Sequence, residues 1–404
     1  MNLSWWKKKA AAESETRSRR PKDTPYKQQR MWAWEPVYGP KTSSIVFLAL
    51  GVILCSFGTF WLVVNTKVAE IRLDYTRCRQ IQSYDQLEVM PGRYVRKRMS
   101  GKSTGQPLER WKRANRTLTF DGVTKNYTLC TIEFYLPADL EPPVFFYYHL
   151  TNFYQNHRNY GTSRHNGQLK GESASLQSVK DSACKDVSVV KSRDGSQEKP
   201  IYPCGLIAAS YFNDTFSYPR RHRVDANGMI GQSTAYNMSQ EGIALSNDKS
   251  LYKPSTYNIT ATADDSIDSP VVPPPSWAER YPNGYHKGNM FDPSVDESFM
   301  VWMRTASSPR FAKLAMRNDN DTMEKGLYRL DIFSPHPDFP IHESGGSKSV
   351  IISTRSAGGA RNPFLGEANI ATGAACVVLS IFFGLSNQWK SAPLVYHSYL
   401  NWGN

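Results

Sequence analysis

The sequence is poor in the residues that carry out chemistry. Its 404 positions hold six cysteines and eight histidines, and no two cysteines form a C-x-x-C pair. That spacing is what most structural zinc sites use to bring two thiolates to one ion, so no metal is expected. There is no H-E-x-x-H, no G-x-S-x-G and no glycine loop of the kind that cradles phosphate. These absences remove the usual signatures of metalloproteases, serine hydrolases and nucleotide-binding enzymes. His149, His157 and His165 recur at a regular interval. On a helix each would be turned about 80° from the last, so they share no face and read as surface or hydrogen-bonded core residues. The acid pairs Asp264-Asp265 and Asp296-Glu297 read as solvated turns. No catalytic residue and no cofactor are expected, and there is no internal repeat.

Long uncharged runs are also scarce, with two exceptions. The stretch Thr42 to Thr66 has no charge. As a helix it would reach roughly 37 Å, enough to cross a hydrocarbon core of about 30 Å with some tilt. The stretch Ala368 to Gln388 is also uncharged and carries the small residues Gly373, Ala374, Ala375 and Gly384. A cleaved signal peptide is a poor reading of the first run, which is too long, lies about 40 residues into the chain and is followed by no A-x-A site. Two membrane spans are expected.

Orientation follows from basic residues. Residues 1–43 contain ten Lys or Arg against four acids, which puts this segment in the cytosol by the positive-inside rule. The expected layout is a cytosolic tail (1–43), a first transmembrane helix (44–65), a lumenal or extracellular domain (66–366), a second transmembrane helix (367–386) and a cytosolic tail (387–404). The net charge of +13 does not point to nucleic acid. Part of it lies in the cytosolic tail, where anionic lipid is the simpler partner. No zinc spacing or aromatic RNA-binding signature accompanies the rest.

Cys78, Cys130, Cys184 and Cys204 all fall in the predicted lumenal domain, whereas Cys55 and Cys376 fall in the spans. An even number in an oxidising compartment reads as two disulfides. Three pairings are open, of which the sequential one closes the shortest loops. Six N-x-[ST] acceptors, Asn115, Asn126, Asn213, Asn237, Asn258 and Asn320, lie between the spans, and one more, Asn2, lies in the tail. The six are candidate glycosylation sites. β-Rich runs at Tyr127–Leu136, Val144–Leu150, Phe299–Met303, Tyr328–Phe333 and Ser349–Ser353 are separated by Pro, Gly, Asn and Asp clusters. They predict a mostly β domain. Residues 152–160 read as a short helix, and 161–200 and 264–282 as long excursions. The segment Met31 to Pro40 is rich in Trp and Pro and reads as interfacial or partner-docking.

These residues carry a resemblance. Gln29 to Pro36 (QRMWAWEP), Tyr148 to Gly171 (with the core NFYQNHRNY), Pro203 to Phe216 (PCGLIAASYFNDTF), Asp296 to Leu314 (with WMRTA), Lys325 to Tyr328 (KGLY), Lys348 to Thr354 (KSVIIST) and Asn362 to Gly366 (NPFLG) stand in order along the chain. The chain resembles the accessory (beta) subunits of type IV P-type ATPase phospholipid flippases, the ligand-effect-modulator family. It departs from the family at Leu245, where a Trp is usual, and at Ser356 to Ala360 (SAGGA).

The resemblance implies a non-catalytic subunit that binds a catalytic alpha subunit and serves its folding, exit from the endoplasmic reticulum, stability and transport cycle. It implies a mainly antiparallel β-sandwich with long insertions and sequential cysteine pairing. It also implies residence in the endoplasmic reticulum, Golgi, endosome or plasma membrane. Trp32 and Trp34 before the first span, and Gly373 and Gly384 in the second, are the candidate contacts with that partner, beside membrane lipids. A trimeric two-span channel would share the topology, but neither span carries the polar stripe of a pore lining. A surface receptor is the third possibility.

Overall fold

The computed structural model describes residues 23–31, 39–81, 84–99, 108–191, 197–224, 230–262, 269–335, 345–355 and 362–389. Trp32 and Trp34 lie outside the described residues. The chain divides into two compact units, one built on the two long helices and the other spanning Phe60–Gly366. The helices with more than five described residues are α1 (Pro40–Thr66), α2 (Glu297–Met303) and α3 (Phe364–Trp389). Both α1 and α3 are long and apolar enough to cross a membrane.

In the helical unit α1 and α3 approach closely because small residues face each other. A Cβ built on Gly373 would stand 2.6 Å from Cys55 Sγ and 2.9 Å from Cys55 N. One built on Gly51 would stand 2.8 Å from Val377 Cγ2. Close backbone approach of this kind is how helices gain contact in lipid, where burial from water contributes nothing. Further along, Ser44 Oγ donates to Ser380 O (2.9 Å) and Ser380 Oγ to Ser44 O (2.7 Å). Phe47 stacks on Phe383 with centroids 5.7 Å apart.

The larger unit is built on strands β1 (Glu70–Asp74), β2 (Glu88–Val89), β3 (Val95–Arg98), β4 (Arg110–Phe120), β5 (Val123–Leu136), β6 (Val144–Thr151), β7 (Val189–Lys191), β8 (Glu198–Pro200), β9 (Thr215–Phe216), β10 (Arg220–Val224), β11 (Ile230–Ala235), β12 (Arg310–Asn318), β13 (Gly326–Ser334) and β14 (Lys348–Thr354). One sheet has the order β12-β6-β14-β1-β3. The other runs β11-β10-β13-β5-β4-β2, with β9 also beside β13. Every pairing within these two sheets is antiparallel.

The sheets share one core. Ile71, Leu73, Phe146, Val350 and Ile352 from the first pack with Ile132, Phe134, Leu136, Leu330 and Ile332 from the second, as expected of a sandwich. In β5 the inward residues alternate with polar ones that find partners. Thr131 Oγ1 donates to Asp331 Oδ1 (2.6 Å) and Arg110 Nη2 to Glu133 Oε2 (2.9 Å). This period of two makes the strand legible in the sequence.

Two disulfides are present, Cys78–Cys130 and Cys184–Cys204. The first ties the turn after β1 to β5, and so one sheet to the other. The second anchors the 161–200 excursion to the segment before Leu206. Loops of 52 and 20 residues correspond to about 4 and about 3 kcal/mol of restricted chain entropy. Replacing Cys184 with Ala is expected to lower the thermal stability and yield of the purified protein. Cys55→Ala or Cys376→Ala should leave both almost unchanged, since these are free thiols whose truncation keeps α1 and α3 in contact. Non-reducing thermal unfolding checks the contrast.

Two sequence expectations are corrected. Phe299–Met303 is not a strand but most of α2. Asp296 caps it, its Oδ1 accepting from Phe299 N (2.8 Å). Phe299, Met300, Trp302 and Met303 are all buried, so an apolar run that looks strand-like is a helix embedded in the core. In 152–160 only Arg158 onward is helical, in a turn that reaches Thr162. The proline run at 271–275 is held by Val272, which donates to Pro200 O (3.1 Å) and accepts from Tyr202 N (2.9 Å).

Candidate functional site

The sequence blocks that look most specific converge on a second core cluster, outside the sandwich interior. It contains Tyr148, Leu150, Leu169, Tyr202, Ile207, Phe212, Trp277, Phe299, Trp302 and Phe311. Buried polar side chains stitch the blocks to one another. Gln155, fully buried, accepts from Ala306 N at Oε1 (2.9 Å). Gln168, also fully buried, donates to Ile201 O (3.0 Å) and accepts from Cys204 N (3.0 Å). Ser163 Oγ accepts from Leu206 N (2.9 Å). Trp302 Nε1 donates to Ile207 O (2.8 Å) and Trp277 Nε1 to Ala208 O (2.9 Å). Gly205 has φ +104°, and a Cβ there would run into the Ser163 carbonyl, so only glycine fits. These residues form a platform in which the Gln155, Gln168, Ser163, Trp277 and Trp302 side chains all have hydrogen-bond partners.

The platform bounds two concavities. The first is a cavity of about 610 Å³ walled by Tyr148, Tyr211, Phe212, Phe216 and Trp277, with Asn213, Asp214, Arg280 and Asp296 among its polar residues. Arg280 Nη2 pairs with Asp296 Oδ2 at 3.1 Å. Burial pushes the Tyr211 phenol well above its usual value, and the neighbouring Asp296 carboxylate adds to that. The second is an open groove of about 510 Å³ that includes Leu245, Arg304, Ser307, Ser308, Arg310 and Lys313. Lys313 Nζ donates to Val301 O (3.0 Å), to Trp302 O (3.4 Å) and to Arg304 O at the end of α2. Desolvation, with Arg304 nearby, brings its pKa down to about 8.

The candidate glycosylation sites divide. Asn115, Asn126, Asn237, Asn258 and Asn320 are exposed, whereas Asn213 is half-buried and lines the cavity. Gly373 faces the chain's own α1, and the nearest atom to a Cβ on Gly384 would be Ser44 Oγ, 3.5 Å away. Gly373 thus serves contact within the chain, while Ala374 and Ala375 are exposed. Among the described residues no cluster of three His, Cys, Asp or Glu side chains is placed to hold a metal ion.

Of the three spaced histidines, His157 is exposed and His165 Nδ1 accepts from Gln168 N (3.0 Å). His149, on β6 between Ala312 and Ser349, has a buried Nδ1 without a hydrogen-bond partner. Desolvation, then the Arg72 and Arg310 charges, brings its pKa down to about 4. The unfolded chain, with an imidazole near 6.5, takes up its proton first as pH falls. Stability is therefore lost from about pH 6.5 down towards 4. His149→Gln is expected to flatten that acid limb, read as the difference in melting temperature between neutral and acidic buffer.

The chain matches the LEM3 (ligand-effect modulator 3) family / CDC50 family over residues 61–392. It is 36% identical over 395 residues to the phospholipid-transporting ATPase accessory subunit CDC50 of Chaetomium thermophilum, covering 97% of this chain and 93% of that one. Against the accessory subunit CRF1 of Saccharomyces cerevisiae the identity is 33%, covering 100% and 94%. Against cell cycle control protein 50A of Bos taurus it is 31%, covering 92% and 90%.

Proposed function

The chain belongs to the LEM3/CDC50 family, and on that premise we propose that it is the non-catalytic accessory subunit of a phospholipid-transporting P-type ATPase. One observation carries the reading. Its similarity to a protein named as such a subunit extends over 97% of its length, taking in both apolar helices and the β domain between them. Its own construction agrees with a binding role: a stiff, twice-bridged sandwich between two membrane-length helices offers broad surfaces to a larger partner.

In this reading the domain at 66–366 lies on the lumenal or extracellular side, both termini are cytosolic, and glycans mark the outer side. The subunit promotes the folding of the ATPase, its exit from the endoplasmic reticulum and its stability, and it acts onward in the Golgi, endosomes or plasma membrane. The open groove around Arg304 and Leu245, which is half-exposed, offers basic and apolar contacts to the partner's lumenal loops. Trp32 and Trp34 would supply contacts on the cytosolic side. Attachment at two places raises effective concentration. Preference for some states of the transport cycle would shift their populations.

Purification in mild detergent followed by mass spectrometry tests the reading. The expected result is a stoichiometric complex with one large polytopic ATPase whose lipid-stimulated ATP hydrolysis requires this chain. A homotrimer that conducts ions, or hydrolysis of ATP by this chain alone, would overturn it.

A further inference from the structure

The first sheet turns one face to the shared core and the other away from it. Ile71, Leu73, Phe146, Val350 and Ile352 point inward, so the residues between them point outward. Strand register sets the outward residues in rows. One row is Arg317, Phe145, Ser353, Glu70 and Arg98, and the next is Leu314, Tyr147, Ile351, Arg72 and Arg96. Asp74 and Arg310 lie further along the same face. The face thus carries five arginines against two acids, around an apolar stripe of Leu314, Tyr147 and Ile351.

These cations act on one another. Burial lowers the pKa of Arg72, and the Arg96 and Arg310 charges lower it further, against the pull of Asp74 and Glu70. The Tyr147 phenol, raised by burial, feels the opposing charges of Arg355, just past β14, and of Arg317. Like charges held this close favour an added anion. Arg317 is already engaged, with Asp319 at 2.7 Å and the Gly242 carbonyl at 2.8 Å. Asp74 Oδ1 accepts from Thr76 N at 3.0 Å. Nothing among the described residues pairs with the guanidinium of Arg98, which is half-buried, or of Arg355, which is exposed.

The row that holds Arg98 adjoins the last turn of α1, which belongs to the same compact unit as the sheet. Asn65 Oδ1 accepts from Asn362 N (2.8 Å). Thr354 N donates to Ala69 O (3.0 Å), and Ala69 N to Thr354 Oγ1 (3.1 Å). Glu70, opposite Arg98, and Arg355 are each the next residue along. From Thr66 to Glu70 the chain can extend at most roughly 14 Å. The row of Arg72 and Arg96 stands only about 6.6 Å further along the strands, inside a Debye length of about 8 Å. Both rows therefore lie where the headgroups of a bilayer crossed by α1 begin.

We propose that this face lies over the lumenal leaflet and binds the phosphate of anionic phospholipids, with Arg98 and Arg355 donating to the phosphate oxygens. The inference rests on the reading that α1 crosses a membrane and that this domain lies beyond it. Guanidinium forks match a lipid phosphodiester, and the Arg72 and Arg96 charges add attraction to a negative headgroup. An acidic protein loop is the other anion such a face accepts. Nearness to the end of α1 favours lipid, because phosphates stand at that level whether or not a partner is bound.

Native mass spectrometry of the intact chain, purified in mild detergent, tests this by titration with phosphatidylserine, phosphatidylcholine or soluble glycerophosphoserine. Phosphatidylserine is expected to bind at least about fivefold better than phosphatidylcholine, and the soluble headgroup hardly at all. Arg98→Gln with Arg355→Gln should abolish the preference, and Arg98→Lys with Arg355→Lys should keep most of it. Lys185→Gln with Lys191→Gln, an equal loss of charge at exposed positions on another part of the domain, should change nothing. A preference that survives in the double Gln variant, or falls equally in the Lys185 and Lys191 control, would overturn the inference. So would glycerophosphoserine binding as tightly as the lipid. A double Gln variant that keeps its lipid but loses the ATPase on co-purification would make the face a protein interface, overturning the inference while the accessory role stands. Lipid binding as expected with no ATPase recovered would support the inference and sink the accessory role instead.

Discussion

Replacing Asp214 with alanine is expected to destabilise the domain by about 3–5 kcal/mol, the usual consequence of removing one partner from a buried ion pair. Asp214 and Lys348 have side chains 0% and 3% exposed. The carboxylate also receives the Tyr75 hydroxyl at 2.8 Å, and the Lys348 ammonium lies 5.4 Å from the Tyr75 ring centroid. Three distant segments meet here: the chain leaving β1, the start of β14, and the residue before β9. Alanine leaves the lysine charge in a dry site with its counter-ion gone. The sequon is retained, since its middle position tolerates alanine, so glycan loss does not confound the result. Asp214→Ala combined with Lys348→Met should recover much of the loss, because replacing both charges removes the desolvation cost together with the attraction. Denaturant unfolding of the single and double variants decides it. Full additivity of the single-variant losses would mean that the pair is not coupled.

The second large effect is expected from Gly373→Leu. The added Cβ would fall 2.6 Å from Cys55 Sγ and 2.9 Å from the Cys55 backbone nitrogen. The thiol could rotate away, but the backbone cannot, so α1 and α3 must separate. The reciprocal Ser44–Ser380 hydrogen bonds and the Phe47–Phe383 stack are lost with that separation. In lipid no burial of apolar surface compensates, since the surrounding acyl chains are as apolar as leucine. The expected outcome is a several-fold drop in recovery of the ATPase complex. Gly384→Ala, whose Cβ would sit at an ordinary 3.5 Å from Ser44 Oγ, should have little effect. Crosslinking between cysteines placed on α1 and α3 reads the separation directly. A Gly373→Leu protein that crosslinks and assembles normally would show that the contact is dispensable.

The residues differ in how far they could be understood without the fold. β5, β6, β13 and β14 are legible because short runs rich in β-branched and aromatic residues, bounded by Pro, Gly, Asn and Asp clusters, are a local pattern. β12 (RFAKLAMRN) does not stand out in the sequence, since Lys313 occupies one of its buried positions and its alternation is broken at Leu314 and Ala315, where the register against β6 shifts. Phe299–Met303 misled because a fully buried helix and a buried strand are both short and uniformly apolar. Asp296, its cap, was read as a solvated acid, although its position three residues before Phe299 is a usable helix-start signal. Gly373 reads from the sequence as a contact with a partner, whereas in the fold it lies against Cys55 of α1; small residues do not reveal which helix they receive.

Composition and one-dimensional pattern were enough to determine the two membrane-length helices, a mainly β domain between them and the set of cysteines available for bridging. These properties depend on length, charge and periodicity, which are carried by neighbouring residues. Only the tertiary structure decided that α2 is a helix and that Gly373 meets Cys55. It also decided that Asp214 neutralises Lys348 and that Asn213 opens into an aromatic cavity. Each of these depends on residues brought together from far along the chain, whose mutual burial sets the local dielectric and the available space, and no local pattern encodes that.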